Sequence, residues 1–416
     1  MRLVFIHPPL DACPSGGNVF NRQIIRQARE TSFPLEAAEV PPDGAIPYLP
    51  RNAIILWDSL LLEDLSNYPL EQFPIRCQSA RQVGRQSLAD LSARQRTSSE
   101  GASWRSQDGR LRLGRDCRPT FFPPDTKPYT GMKNALAGDE AVHGLLVHYV
   151  PFLNPLLDAD RRKEEEDRFE RAAERVRFFI ATGLSIRCLL ERRYPGKPAF
   201  LCEPGVDAAF LAARQASGKR STDQPVQIAT VANLLPAKGL TELLEILAGL
   251  RYCDWAWHVA GYDRIDPNYA GRFRSRVADL GLQTRIFLHG VLDTPELARF
   301  LGGMDVFAFA SRFEAYGMAL AEAAAVGLPI VTTEVGEASR IVRHGETGFV
   351  VPLADREAFR NGLERLLSDR DLRRRYRSRL LRNTPRTWDA AFVDFRNAVE
   401  AVALRSRGRT AYVQEI

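Results

Sequence analysis

The chain opens on an uninterrupted apolar run, Leu3 to Ile6, and then changes period. Phe20, Ile24 and Ile25 recur near helical spacing in "VFNRQIIRQARE", and the glycine-bearing turn "PSGGN" lies between. Strand, turn and helix begin again past the midpoint, as "PVQIATVANL", "LPAKG" and "LTELLEILAGL". The rhythm then continues through "WAWHVAG", a helix from Phe273 to Leu280, "RIFLHG", a short helix at "TPELARFLGG", "VFAFA", a helix after Gly317, "PIVTT" and "GFVVP". Strands alternating with helices of this length predict a parallel, doubly wound sheet, and two openings predict two Rossmann-like domains.

Elsewhere the pattern is less regular. "VHGLLVHYVP" reads as a buried strand and "DRRKEEEDRFERAAERVRFF" as a charged helix, with Glu164/Arg168 and Asp167/Arg171 at the supportive spacing of four. Asp158 to Asp160, "DAD", reads as that helix's N-terminal cap. The stretch "AARQASGKRSTDQP" reads as poorly structured. Between Arg76 and Gly138 no period is sustained, and a long insertion is expected there, with at most a helix near Arg81 to Arg94. From Asp369 to about Ala403 the chain is helical and basic, broken at Pro385. The expected organisation is a first Rossmann-like domain at 1–203 with a flexible insertion at 76–138, a second Rossmann-like domain at 204–385, and a final helix at 386–416 packing back on the first domain.

A length of 416 residues fits two domains. The net charge of +6 gives little reason to expect nucleic acid, because ten arginines against four acidic residues between Arg76 and Arg118 already supply that surplus. Cys13, Cys77, Cys117, Cys188, Cys202 and Cys253 show no metal-ligand spacing and read as reduced and structural. No run approaches the roughly 20 apolar residues that span a bilayer, and the amino terminus has no signal-peptide pattern, so a cytoplasmic protein is expected. Peripheral membrane contact through the charged helix is left open, although its acidic residues oppose an anionic bilayer.

The sharpest signal is "FEAYGMALAEAAAVGLP", in which Glu314 and Glu322 bracket an aromatic, a glycine and an alanine-rich helix. Carboxylates so placed need partners. With "ANLLPAKGLTELLE" upstream and "IVTTEVGEASRIVRHGETGFVVP" downstream, the segment resembles the carboxyl domain of the retaining glycosyltransferases of family four, over roughly residues 226–368. The resemblance implies an α/β protein of the GT-B fold, two Rossmann-like domains facing across an interdomain cleft. It also implies transfer of a hexose, with retention, from a nucleoside-diphosphate sugar (UDP- or GDP-linked) to an unidentified acceptor hydroxyl, with no metal or other cofactor.

The same resemblance assigns Glu314 to the transferred sugar, Glu322 to the ribose and Lys238 to the donor diphosphate. It assigns Gly16 and Gly17 to a glycine loop against the donor phosphates, and His148 to the donor sugar. His148 also reads as a core histidine, and His7 as a second candidate for the cleft. The helix after Gly317 would aim its N-terminal dipole at a diphosphate. One position departs from the family: an arginine is usual five residues before the lysine, and Asn233 stands there. Asn233 brings hydrogen-bond donors without charge; Arg312 is a candidate substitute, or simply an ion-paired arginine. The remaining readings are a nucleotide-sugar-binding protein with weakened turnover and a GT-B nucleotide-sugar epimerase. His143, His258, His289 and His344 read as structural.

Overall fold

The computed structural model describes residues 2–10, 15–40, 49–50, 53–61, 141–216 and 224–406. The arginine-rich insertion with the helix expected near Arg81 to Arg94, and Cys13, Cys77 and Cys117, lie outside the described residues.

Two six-stranded sheets carry the fold, and every strand pairing in them is parallel. The first contains β1 (Arg2–His7), β2 (Leu35–Glu39), β3 (Ala53–Asp58), β4 (Val142–Val147), β5 (Phe178–Ala181) and β6 (Ala199–Leu201), in the order β2-β1-β3-β4-β5-β6. The second contains β7 (Val226–Val231), β8 (Trp255–Ala260), β9 (Ile286–Gly290), β10 (Val306–Phe309), β11 (Ile330–Thr333) and β12 (Gly348–Val351), in the order β12-β11-β10-β7-β8-β9. Among the described residues the helices are α1 (Gly16–Glu30), α2 (Ala159–Arg175), α3 (Leu184–Arg193), α4 (Ala208–Ala216), α5 (Leu240–Ala248), α6 (Pro267–Asp279), α7 (Thr294–Gly302), α8 (Met318–Val326), α9 (Ala338–Ile341), α10 (Arg356–Ser368), α11 (Arg370–Arg382) and α12 (Trp388–Ser406).

The central strands are apolar throughout because both faces are covered. In the first sheet Val4, Ile6, Ile55 and Trp57 pack towards Phe169 of α2 and Leu190 of α3. Their neighbours Leu3, Phe5, Ile54 and Leu56 point the other way, towards Phe20 and Ile24 of α1 and Phe395 of α12. The last helix therefore completes the core of the first lobe. The chain crosses between lobes twice, side by side: Val206 N–H donates to the Arg386 carbonyl (2.8 Å), and Arg386 Nε to the Glu203 carbonyl (3.1 Å).

Several local expectations change. The charged helix α2 stops at Arg175, because Phe178 to Ala181 are buried on both sheet faces between β4 and β6. Its ion pairs include Lys163–Asp167 (2.7 Å) and Arg168–Glu165 (2.8 Å), Glu166 and Glu170 pair with Arg193 of α3, and Asp158 caps it. Helix α6 starts six residues before Phe273, with Asp266 capping the Tyr269 N–H (2.9 Å) and Pro267 in the first turn. Helix α4 carries order through to Ala216, into the stretch read as poorly structured. Cys188, Cys202 and Cys253 are free thiols. Among the described residues no helix is long and apolar enough to cross a membrane.

Candidate active site

In each sheet the strand order reverses at one place, and open α/β sheets form a crevice at the carboxyl ends of the strands flanking such a reversal. In the second sheet it lies between β7 and β10. After β7 the chain passes Asn233 and the single turn Pro236–Lys238 into Gly239, whose φ of 63° suits glycine. A Cβ on Gly239 would lie 1.9 Å from the Ala310 carbonyl oxygen, so its absence lets this turn press against the segment leaving β10. The Arg312 N–H donates to the Ala237 carbonyl (2.8 Å) and fixes the contact. Lys238 Nζ consequently sits 2.5 Å from Glu314 Oε1, which also accepts a hydrogen bond from Ser311 Oγ (3.0 Å). The two charged side chains keep 24% and 14% of their surface, so the pair is sheltered but accessible.

Three residues on, Gly317 adopts φ 97° and starts α8 with no side-chain cap on its first turn. Helix α8 is apolar all round because α4, α7, α9, α11 and β11 surround it. Glu322 is the exception. Burial, and then the charge of Asp207, push its carboxyl up to about 8, and it makes no hydrogen bond or ion pair with the other described residues.

The first sheet reverses between β1 and β3, whose register brings His7 and Asp58 out side by side. Ser15 Oγ caps α1 by accepting the Asn18 N–H (3.2 Å), so Gly16 and Gly17 form the first helical turn and not a separate loop. A Cβ on Gly17 would meet His148 Cδ2 at 3.2 Å, and one on Gly16 would meet Met318 Sδ at 3.3 Å. The N-termini of α1 and α8, one from each lobe, thus converge.

His148 is clamped beneath them. Its Nε2 lies 2.9 Å from Asn21 Oδ1 and 3.2 Å from Asp58 Oδ2, and its backbone N–H donates to Ser59 Oγ (3.0 Å). Asn21 Nδ2 donates to Asp58 Oδ2, and Asp58 Oδ1 accepts the Leu60 N–H (2.7 Å). Sequence reasoning missed Asn21 and Asp58. The signal was present: an asparagine between Phe20 and Ile24 on the apolar face of α1, and an aspartate ending "AIILW".

The other candidates are spread around this centre. Asn233 Oδ1 accepts the Tyr262 N–H (3.0 Å), which ties two loops together. Arg312 pairs with Glu242 at 3.5 Å. His7 Nδ1 lies 2.8 Å from its neighbour's carbonyl oxygen, on Pro8. His258 bonds His289 (2.9 Å) and Gln227 (2.7 Å) away from the crevice, and His143, pushed down to about 4 by burial and then by Arg175, accepts the Trp57 indole N–H (3.0 Å). Glu337, also missed, reaches from the second lobe to α3: its Oε1 accepts Ser185 N–H (2.8 Å) and Ser185 Oγ–H (2.6 Å), while Arg340 donates to its Oε2 (3.1 Å). Among the described residues no group of three or more histidines, cysteines or acids could hold a metal ion.

Residues 213–380 match the family model described as glycosyl transferases group 1. The lipopolysaccharide core biosynthesis glycosyltransferase LpsE of Rhizobium meliloti (strain 1021) is 29% identical over 157 residues, 38% of this chain and 44% of that protein. Phosphatidyl-myo-inositol mannosyltransferase of Mycobacterium leprae (strain TN) is 31% identical over 147 residues, 34% and 37% of the two chains. The chain thus aligns with less than half the length of these relatives. Solved structures similar over almost the whole chain include the following two. Sucrose-phosphate synthase from Thermosynechococcus elongatus has a TM-score of 0.65 at 15% identity and covers 97% of this chain and 100% of its own. Anabaena Alr3699/HepE, in complex with UDP and glucose, has a TM-score of 0.62 at 13% identity and covers 96% and 100%. The chain has the GT-B fold.

Proposed function

We propose that this chain is a retaining glycosyltransferase that moves a hexose from a nucleoside-diphosphate sugar, UDP- or GDP-linked, to an acceptor hydroxyl without a metal. The observation that carries this reading is the convergence of two uncapped or glycine-bearing helix starts, the Lys238–Glu314 pair and His148 at the switch points of both sheets. Two positive helix ends and a lysine suit a diphosphate. Glu314 suits sugar hydroxyls, and Glu322 suits the ribose, whose hydroxyls supply the hydrogen bonds it otherwise lacks. With His148 Nε2 held by Asn21 and Asp58, Nδ1 is the ring nitrogen turned over to ligand. The match of residues 213–380 to glycosyl transferases group 1 supports the same class.

In this mechanism the bond from the sugar's anomeric carbon to the leaving phosphate oxygen breaks. The acceptor oxygen bonds that carbon from the same face, and its proton passes to the departing phosphate. Lys238 and the two helix ends stabilise the growing negative charge, which is the largest contribution residues of this kind make. Glu314 orients the sugar. Asn233 carries no charge, so Lys238 has a larger share of this work.

The experiment is a thermal-shift series with UDP, GDP, ADP and their sugar conjugates, followed by product analysis of any conjugate that is consumed. A shift with one nucleotide, larger with one conjugate, and a product keeping the donor's anomeric configuration is the expected result. An inverted product would refute retention, and a folded protein that none of the nucleotides shifts would refute the donor site.

A further inference from the structure

Beside Glu314, between the lobes, lies a half-open cavity of about 300 Å³. Its walls are mostly apolar: Val150, Leu153, Pro155 and Ile186 from the first lobe, Phe313 and Val335 from the second. Three polar side chains reach it, and each is engaged elsewhere. Ser185 gives both its N–H and its hydroxyl to Glu337, Arg312 faces Glu242 at 3.5 Å, and Glu314 holds Lys238 and Ser311.

Resting on the transferase reading, we propose that this cavity takes the apolar body of the acceptor. The acceptor is then a hydroxyl compound with an alkyl or aryl portion and not a free sugar. A hexose ring placed here would set the hydroxyls on its wall-facing side against hydrocarbon, and unpaired buried hydroxyls are disfavoured. An apolar body meets no such penalty and leaves one polar end directed at Glu314, where transfer takes place. The volume sets the size. At about 30 Å³ per water the space equals roughly ten waters, enough for about ten non-hydrogen atoms. Leu153, on the wall, is 49% exposed, so the apolar lining continues to the surface and a longer chain can emerge there.

The test is isothermal titration of the full chain with n-octyl β-D-glucoside below its micelle concentration, against glucose, in parallel with the nucleotide thermal shifts. Each buried methylene multiplies affinity about fourfold, so the octyl compound is expected to bind at least ~10-fold tighter than glucose. Leu153→Asp and Val335→Asp place a charge on the cavity wall without touching Glu314 or Lys238. Both should weaken octyl glucoside ~10-fold or more and leave the nucleotide shift intact. Octyl glucoside binding no tighter than glucose, or binding that both variants retain, would overturn the proposal. Nucleotide shifts read the donor site separately: their absence alongside wall-dependent octyl glucoside binding sinks the transferase reading and keeps the apolar cavity.

Discussion

Glu314 and Lys238 pair at 2.5 Å, so under the proposed function a bound donor shares them, the diphosphate drawing the lysine and a sugar hydroxyl the carboxylate. Truncating either should therefore affect different quantities. Glu314→Gln is expected to lower turnover about 10²-fold with nucleotide affinity nearly kept. Lys238→Met should lower turnover by about 10²–10³ and weaken nucleotide binding as well. Steady-state kinetics beside nucleotide titration separates the two, and wild-type turnover in either variant would remove these residues from the site. Glu322 adds a pH effect. Its folded pKa, near 8, stands above that of an unfolded glutamate, so the folded state holds the proton more tightly and stability falls as pH rises from about 4.5 to 8. Glu322→Gln cannot ionise; it should gain stability relative to the parent from pH 5 to pH 8, by about 1.4 kcal/mol or more, the equivalent of one pKa unit. Denaturant unfolding at the two pH values measures it, and a constant difference would contradict the shift. Glu322 stands out in the sequence because a carboxylate in an apolar helix is conspicuous. Asn21, Asp58 and Glu337 did not stand out, since their partners are distant in the chain: Asn21 lies 37 residues from Asp58 and 127 from His148, and Glu337 lies 152 from Ser185.

The elements that build the site are α1 and α8, and each owes its role to a glycine at its start. Gly317 combines φ 97° with a close neighbour: a Cβ there would come 3.1 Å from Leu320 Cδ1. Gly317→Ala should lower stability by about 1–2 kcal/mol from the left-handed backbone alone and reduce the nucleotide thermal shift, because the first turn of α8 moves. An unchanged melting temperature and shift would mean that α8 adjusts freely. At this scale the alternation of strands and helices in the second half was readable in the sequence, since its strands apart from the exposed edge strand β9 are mostly buried and several of its helices stop at a glycine. The first half was harder. Strand β2 is a sheet edge with the mixed sequence "LEAAE", and the helix α2 merges into β5 with no glycine or proline between them. The start of α6 depends on a cap and a proline that precede any apolar period.

The two lobes touch through Met318 and Ala315, which pack on the first lobe's core, and through the Glu337–Ser185 contact. Burial alone would raise the Glu337 carboxyl; the bonds from Ser185 and Arg340 outweigh it and hold it below the usual range. Glu337→Ala removes hydrogen bonds to a charged group, each worth about 1.5–3 kcal/mol, and should shift the molecule towards open forms. A larger radius of gyration by small-angle scattering is the expected reading, and an unchanged one would assign closure to Met318 and Ala315 instead. The paired crossings at Val206 and Arg386 also fix an order of events. The ribosome delivers the first lobe's sheet early, but α12, which supplies Phe392, Phe395 and Val399 to its core, is made only after the entire second lobe. The lobe that is begun first is finished last, so during synthesis its uncovered sheet face has to be shielded while the second lobe folds on its own.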